Sequence, residues 1–125
     1  MRAGRTYEDK IPFRFILDYL VDVEIVIKPM FGCYGVYSKG RLCLFLMGRD
    51  EPIIRRDGQA MHKGVSIATS ANYADQLKTV FPDAQFRLLK QDKVWIFVSA
   101  IIEPFEPYVI KACEMISSGD PRIGR

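Results

Sequence analysis

The sequence predicts an α+β two-layer domain, built in the order α-β-β-β-α-β-β-α. Three observations carry that expectation. Apolar residues recur with a helical period at the start, middle and end of the chain, and between those stretches the period switches to two. The strands fall into a group of three and a group of two, without strict β-α-β alternation, which implies an antiparallel sheet with helices packed on one face. Five strands suffice for that sheet. No internal repeat, low-complexity tract or Gly/Ser linker divides the chain, so residues 1–125 are expected to form a single domain.

The first helix is read from Phe13, Ile16, Leu17 and Leu20 at i, i+3, i+4 and i+7, with Pro12 in a first turn where its missing N–H costs nothing. From Val23 the alternation of Val23, Ile25 and Ile27 with Glu24, Val26 and Lys28 predicts a strand with one wetter side. Cys33 to Tyr37 and Arg41 to Met47 flank the Gly-bearing turn Ser38-Lys39-Gly40 and predict a hairpin, its second strand apolar on both faces and therefore central. Residues 48–68 hold Gly48, Pro52, Gly58 and Gly64 without a period, and read as an irregular loop with room for a short strand at Pro52 to Arg56. Asn72 is the expected N-cap of a second helix, with Asp75 at N3, a stripe of Tyr73, Leu77 and Val80, and a stop at Pro82. Gln85 to Leu89 and Val94 to Ser99 flank Gln91-Asp92-Lys93 as a second hairpin. The last helix carries Phe105, Tyr108, Val109, Ala112 and Ile116 and ends at Gly119 and Pro121.

With 49% apolar residues and 18 Lys+Arg against 15 Asp+Glu, the composition is that of an ordinary globular domain. It excludes a disordered tail, a collagen-like repeat and a disulfide scaffold. A chain of this length buries about two-thirds of its unfolded surface and needs no metal or disulfide to fold. The charged start and the apolar run Leu42 to Met47 fit neither a secretory signal nor a membrane span. Three cysteines cannot all pair within one chain, and their spacing matches no zinc or redox signature, so reduced thiols in the cytoplasm are expected. The positive charge is concentrated early: residues 1–65 hold 11 basic and 8 acidic groups, residues 66–125 seven of each. Within 39–63, Lys39, Arg41, Arg49, Arg55, Arg56 and Lys63 face three acids, a candidate phosphate-binding patch weaker than most nucleic-acid stripes.

Reactive chemistry is sparse. A hydrolase needs a base beside its nucleophile, and the single histidine, His62, stands in the loop with no G-x-S-x-G elsewhere. No metal-ligand motif occurs, and Gly32 and Gly35 lead into a strand rather than a helix that could hold phosphate. No catalytic, cofactor-binding or metal-ligating residues are assigned, and no cofactor is expected. The candidate contacts are Arg55, Arg56, Lys63 and Arg122. Adjacent arginines on an extended segment point to opposite sides, so one of Arg55 and Arg56 would reach a given ligand. Arg122, in Asp120-Pro121-Arg122, is read first as an ion pair that pins the tail.

The stretch Met30-Phe31-Gly32-Cys33-Tyr34-Gly35, followed by Val36-Tyr37, Leu42 to Met47, the lone Trp95 and a closing Asp120-Pro121-Arg122-Ile123-Gly124, resembles the TfoX N-terminal domain family over about residues 13 to 124. That resemblance implies an α-β(3)-α-β(2)-α fold similar to type III secretion chaperones and YjbR-like proteins, with Met30, Phe31, Gly32, Tyr34 and Gly35 as the family motif. Cys33 stands where the family pattern often has a second glycine. The name-giving member is a bacterial competence regulator with no established enzymatic activity, and its second, helix-hairpin-helix-like module has no counterpart in these residues. The resemblance implies a non-catalytic regulatory module; because helices can cover one side of the sheet only, the apolar face left over and the 48–68 loop are expected to meet a protein partner. A homodimer is one such contact. The rival readings are a nucleic-acid-binding accessory protein using the basic 39–63 region and a small hydrolase.

Overall fold

The computed structural model describes residues 7–48, 53–54, 58, 60–61 and 63–125. A short 3-10 helix, Arg14–Tyr19, leads into strands β1 (Val26–Met30), β2 (Cys33–Ser38) and β3 (Arg41–Met47). Two short strands follow, β4 (Ile53–Ile54) and β5 (Ala60–Met61), paired only with each other. Then come β6 (Gly64–Ser70), helix α1 (Ala71–Val80), β7 (Gln85–Leu88), β8 (Lys93–Ser99) and helix α2 (Phe105–Ser117). The main sheet runs β1-β2-β3-β6-β8-β7, with every neighbouring pair antiparallel.

The α+β class and the antiparallel sheet agree with the sequence expectation; the count of five strands does not. The sixth strand is β6, which falls mostly inside the stretch read as an irregular loop. Its outward positions Gly64, Ser66 and Ala68 are small because the neighbouring strands place aromatic rings around them. A Cβ on Gly64 would lie 2.7 Å from the Phe97 ring and collide with the Val98 carbonyl oxygen. Small side chains give a weak alternation signal, so this central strand leaves little trace in the sequence.

One face of the sheet makes the core. Val36, Leu44, Ile67 and Ile96 stand in register across four neighbouring strands, all without solvent exposure. Leu46, Val65 and Val98 form the next row. Leu77 and Phe81 at the end of α1, Val109, Ala112 and Ile116 of α2, and Ile16 and Leu20 close over them in one cluster. Each buried Val, Leu, Ile or Phe side chain contributes about 1.5–3 kcal/mol by leaving water.

The first helix is a 3-10 helix, preceded by Phe13 at φ 58°, and its apolar stripe still packs as expected because side chains at i and i+3 also eclipse in that geometry. The N-cap of α1 is Ser70 rather than Asn72, because β6 runs straight into the helix with no loop between them. The turn between β2 and β3 has two residues, Lys39 and Gly40, both at positive φ, since Ser38 pairs with Arg41. One strand further, Leu42 faces Tyr37 and Leu44 faces Val36, which leaves Cys43 as the extra residue of a β-bulge. That bulge turns the Cys43 thiol into the helix-side core cluster, whereas Cys33 lies outside it.

The segment after α2 completes the sheet. Gly119, at φ 76°, donates its N–H to the Ile116 carbonyl, and Asp120 donates to that of Met115, a Schellman termination that reverses the chain as Gly119 predicts. Direct pairing of β3 with β6 stops at Leu44 and Ile67, although β6 continues to Ser70 against β8. Into that split run residues 122–125: Leu42 and Arg125 exchange both backbone hydrogen bonds at 3.1 Å, and the Gly124 N–H reaches the Ala68 carbonyl at 2.7 Å. Thr69 Oγ1 donates to the Arg122 carbonyl at 2.5 Å. Backbone groups that the diverging strands would leave unpaired are thereby satisfied.

Candidate functional site

The face away from the helices differs in kind from the core. The strand pleat assigns to it Val26, Lys28 and Met30 of β1, then Cys33, Gly35 and Tyr37 of β2, and Leu42, Phe45 and Met47 of β3. On the other half stand Gly64, Ser66, Ala68 and Ser70 of β6, Lys93, Trp95, Phe97 and Ser99 of β8, and Gln85 and Arg87 of β7. None of these positions carries an aspartate or a glutamate. Tyr37, Phe45, Trp95 and Phe97 are half-buried, and all four lie outside the main core cluster. Gly35 is packing space here, because a Cβ there would sit 2.7 Å from Met30 Sδ.

Two of the aromatic rings are already paired with cations. The Lys28 ammonium lies 4.9 Å from the Tyr37 ring centroid, and the Arg125 guanidinium 4.3 Å from that of Trp95. Phe45 extends the Trp95 platform, with ring centroids 6.0 Å apart. Arg125 also donates to the Val94 carbonyl at 3.3 Å, and burial pulls its guanidinium below the ordinary arginine value while leaving it a cation. Arg87 sits opposite Trp95 at the outer strand, and Lys93 one pleat along from Trp95. Between Phe45 and Phe97, Ser66 is 1% exposed, and its hydroxyl oxygen has no hydrogen-bond partner.

The residues singled out in the sequence separate. Arg55, Arg56 and His62 lie outside the described residues. Lys63 is exposed beside Gly64, which pairs with Met47 at one end of β3, while Lys39 and Arg41 stand at the other end, about 20 Å away along the strand. Of the described cations of the 39–63 region, Lys63 is therefore separated from Lys39 and Arg41 by the length of β3. Arg41 is engaged, donating to the carbonyls of Gly124 at 2.7 Å and Pro121 at 3.4 Å. Arg122 grips Asp120 through Nη2–Oδ2 at 2.7 Å and Nε–Oδ1 at 3.0 Å, the ion pair expected of it, but both partners belong to the segment after α2, and backbone bonds rather than this pair tie that segment to the sheet. That guanidinium holds the Asp120 carboxyl below the usual carboxylate range. Of the Met30 to Gly35 motif, Phe31 and Gly32 form the β1–β2 turn at φ 53° and 79°, and the Phe31 ring is 85% exposed.

Lys28, Arg87, Lys93 and Arg125 are the residues that sequence reasoning missed. They are spread from position 28 to 125, and only the sheet register gathers them on one face. The period-two alternation of β1 and β8 could have placed Lys28, Lys93 and Trp95 with the outward set. Arg125 carried no local signal.

Thiol chemistry is muted. Cys33, Cys43 and Cys113 are free and buried. Burial pushes the Cys113 thiol up to about 12 and raises that of Cys43, so both stay protonated and poorly nucleophilic. Among the described residues no group of three His, Cys, Asp or Glu converges as metal ligands would, and no helix is long and apolar enough to cross a membrane. A hollow of about 180 Å³ lies beside Arg41 and Asp120, both of which already have partners. Set against family models, curated proteins and solved structures, the chain matches none of them.

Proposed function

We propose that this protein is a non-catalytic interaction module of regulatory type, as the resemblance to the TfoX N-terminal domain implies, and that it engages its partner through the outer sheet face. One observation supports this above others: the face joins aromatic rings to cations and carries no carboxylate at its strand positions. A face that served only to shed water would mix both signs of charge. The reading needs no reactive group, and it favours the sheet over the 39–63 segment. A cytoplasmic setting fits its three unpaired thiols.

The test is site-specific photo-crosslinking in the native cell. A benzophenone side chain replaces Gln85, exposed on the outer face, or Glu106, exposed on α2. Discrete adducts, of protein or nucleic acid, are expected from position 85 and not from position 106. Adducts from position 106 alone, equal adducts from both, or none from position 85 would remove the outer face from consideration.

A further inference from the structure

Resting on that assignment of the outer face, the geometry points to a single-stranded nucleic acid as the partner, laid across the strands and held by stacking and phosphate contacts. Three features argue for it. The first is charge: Lys28, Lys93 and Arg125 share a face whose strand positions hold no acid, which matches a polyanion. Arg87 already has a partner, whereas Lys28, Lys93 and Arg125 take no part in the ion pairs Arg14–Asp9, Lys78–Asp75 and Arg122–Asp120.

The second is the order of groups across the sheet. From β1 to β7 the sequence of side chains is Lys28 over Tyr37, then Leu42, Arg125 over Trp95, and Arg87. Each aromatic ring is covered by its cation, so a base stacks on the cation-capped ring, at Trp95 on the guanidinium plane of Arg125, while the charge neutralises the adjoining phosphate. Tyr37 and Trp95 are separated by β3, the inserted 122–125 segment and β6, a span on the order of 20 Å at strand spacing. That is a site a few nucleotides long. The major groove of an undistorted duplex, about 12 Å wide, is too narrow for a six-stranded face, whereas that face can carry unstacked bases.

The third is Ser66. Its hydroxyl is buried between Phe45 and Phe97 with no partner in the protein, although buried polar groups are nearly always bonded. A base reaches this hydroxyl by parting Phe45 and Phe97, and its edge then supplies the missing hydrogen bond.

The experiment measures fluorescence anisotropy of the full chain with labelled dT12, U12, a 12-base-pair duplex and a 12-residue polyglutamate peptide. Binding of dT12 or U12 at 50 mM salt is expected, at least tenfold tighter than the duplex or the peptide; the two strands compared show whether the sugar matters. Contact with three or four phosphates predicts a loss of about 20- to 50-fold in affinity between 50 and 200 mM salt. Lys28→Ala with Lys93→Ala, both exposed, should weaken binding and flatten that slope. Trp95→Leu should weaken it roughly tenfold and Trp95→Phe much less, with thermal melts confirming that each variant folds.

Failure of both strands to bind at 50 mM salt, or peptide binding as tight as theirs, overturns the nucleic-acid assignment. Protein adducts from position 85 would then leave the outer face standing as an interaction surface for an acidic protein. A salt slope unchanged in the double alanine variant would equally defeat the proposed contacts.

Discussion

On the inner side of the sheet Val36, Leu44, Ile67 and Ile96 meet across four strands with no exposure. One residue further along each strand, the outer side sets Gly35, Phe45, Ser66 and Phe97 in the same register. The inner row is uniform in size and wholly aliphatic, because two helices and a 3-10 turn close over it. The outer row alternates large with small, and polar groups enter it. The same backbone thus supports a face in which each side chain is fixed by close packing and one in which charge and ring orientation vary. Substitutions should therefore cost stability on the first and recognition on the second.

The sharpest test of that difference is Leu44→Ala, which opens a cavity in the inner row and should cost about 2–5 kcal/mol in urea unfolding. A loss under 1 kcal/mol would mean that the inner face is not the core. Next comes Arg122→Ala, which leaves Asp120 without its bidentate partner and loosens the segment that fills the split sheet. About 1–2 kcal/mol should be lost. Because Arg122 holds the Asp120 carboxyl below its ordinary value, the pair's contribution is complete above the unfolded pKa, near 4, and fades as pH falls through the lower folded value. Stability of the native chain should drop more steeply below pH 4 than that of Arg122→Ala, and parallel acid limbs would show that the pair contributes nothing.

Phe31→Asn should raise stability by about 0.5–1 kcal/mol, since Phe31 holds a left-handed conformation with its ring in water. A destabilised variant would show instead that the ring is packed in solution. Smallest of all, Ser66→Ala and Lys93→Ala should each lie within about 0.5 kcal/mol of the native chain or, for Ser66, slightly above it. A loss beyond 1 kcal/mol at either position would erase the contrast between the faces.

Much of the fold was legible. The stripe of α2, the Gly119 stop, both hairpins and the central position of β3 follow from period and turn chemistry. The sixth strand was hidden because Gly64, Ser66 and Ala68 were selected for the space left by Phe45, Trp95 and Phe97, a constraint set by neighbours remote in sequence. The Cys43 bulge was equally silent: the hairpin turn fixes one register, and the extra residue corrects it to bring Leu44 opposite Val36. For the candidate site, local reading found the basic 39–63 stretch, in which Arg41 is committed to backbone carbonyls and Lys63 lies at the far end of the strand.

The sequence alone determined the α+β class, the C-terminal end of the last helix and its apolar stripe, since each depends on spacing within a few residues. Tertiary structure decided that β6 lies beside β3, where residues 122–125 insert, and which cations share a face with Tyr37 and Trp95. Those outcomes depend on hydrogen-bond register between strands far apart in the chain, and a local pattern carries no information about the strand that will lie beside it.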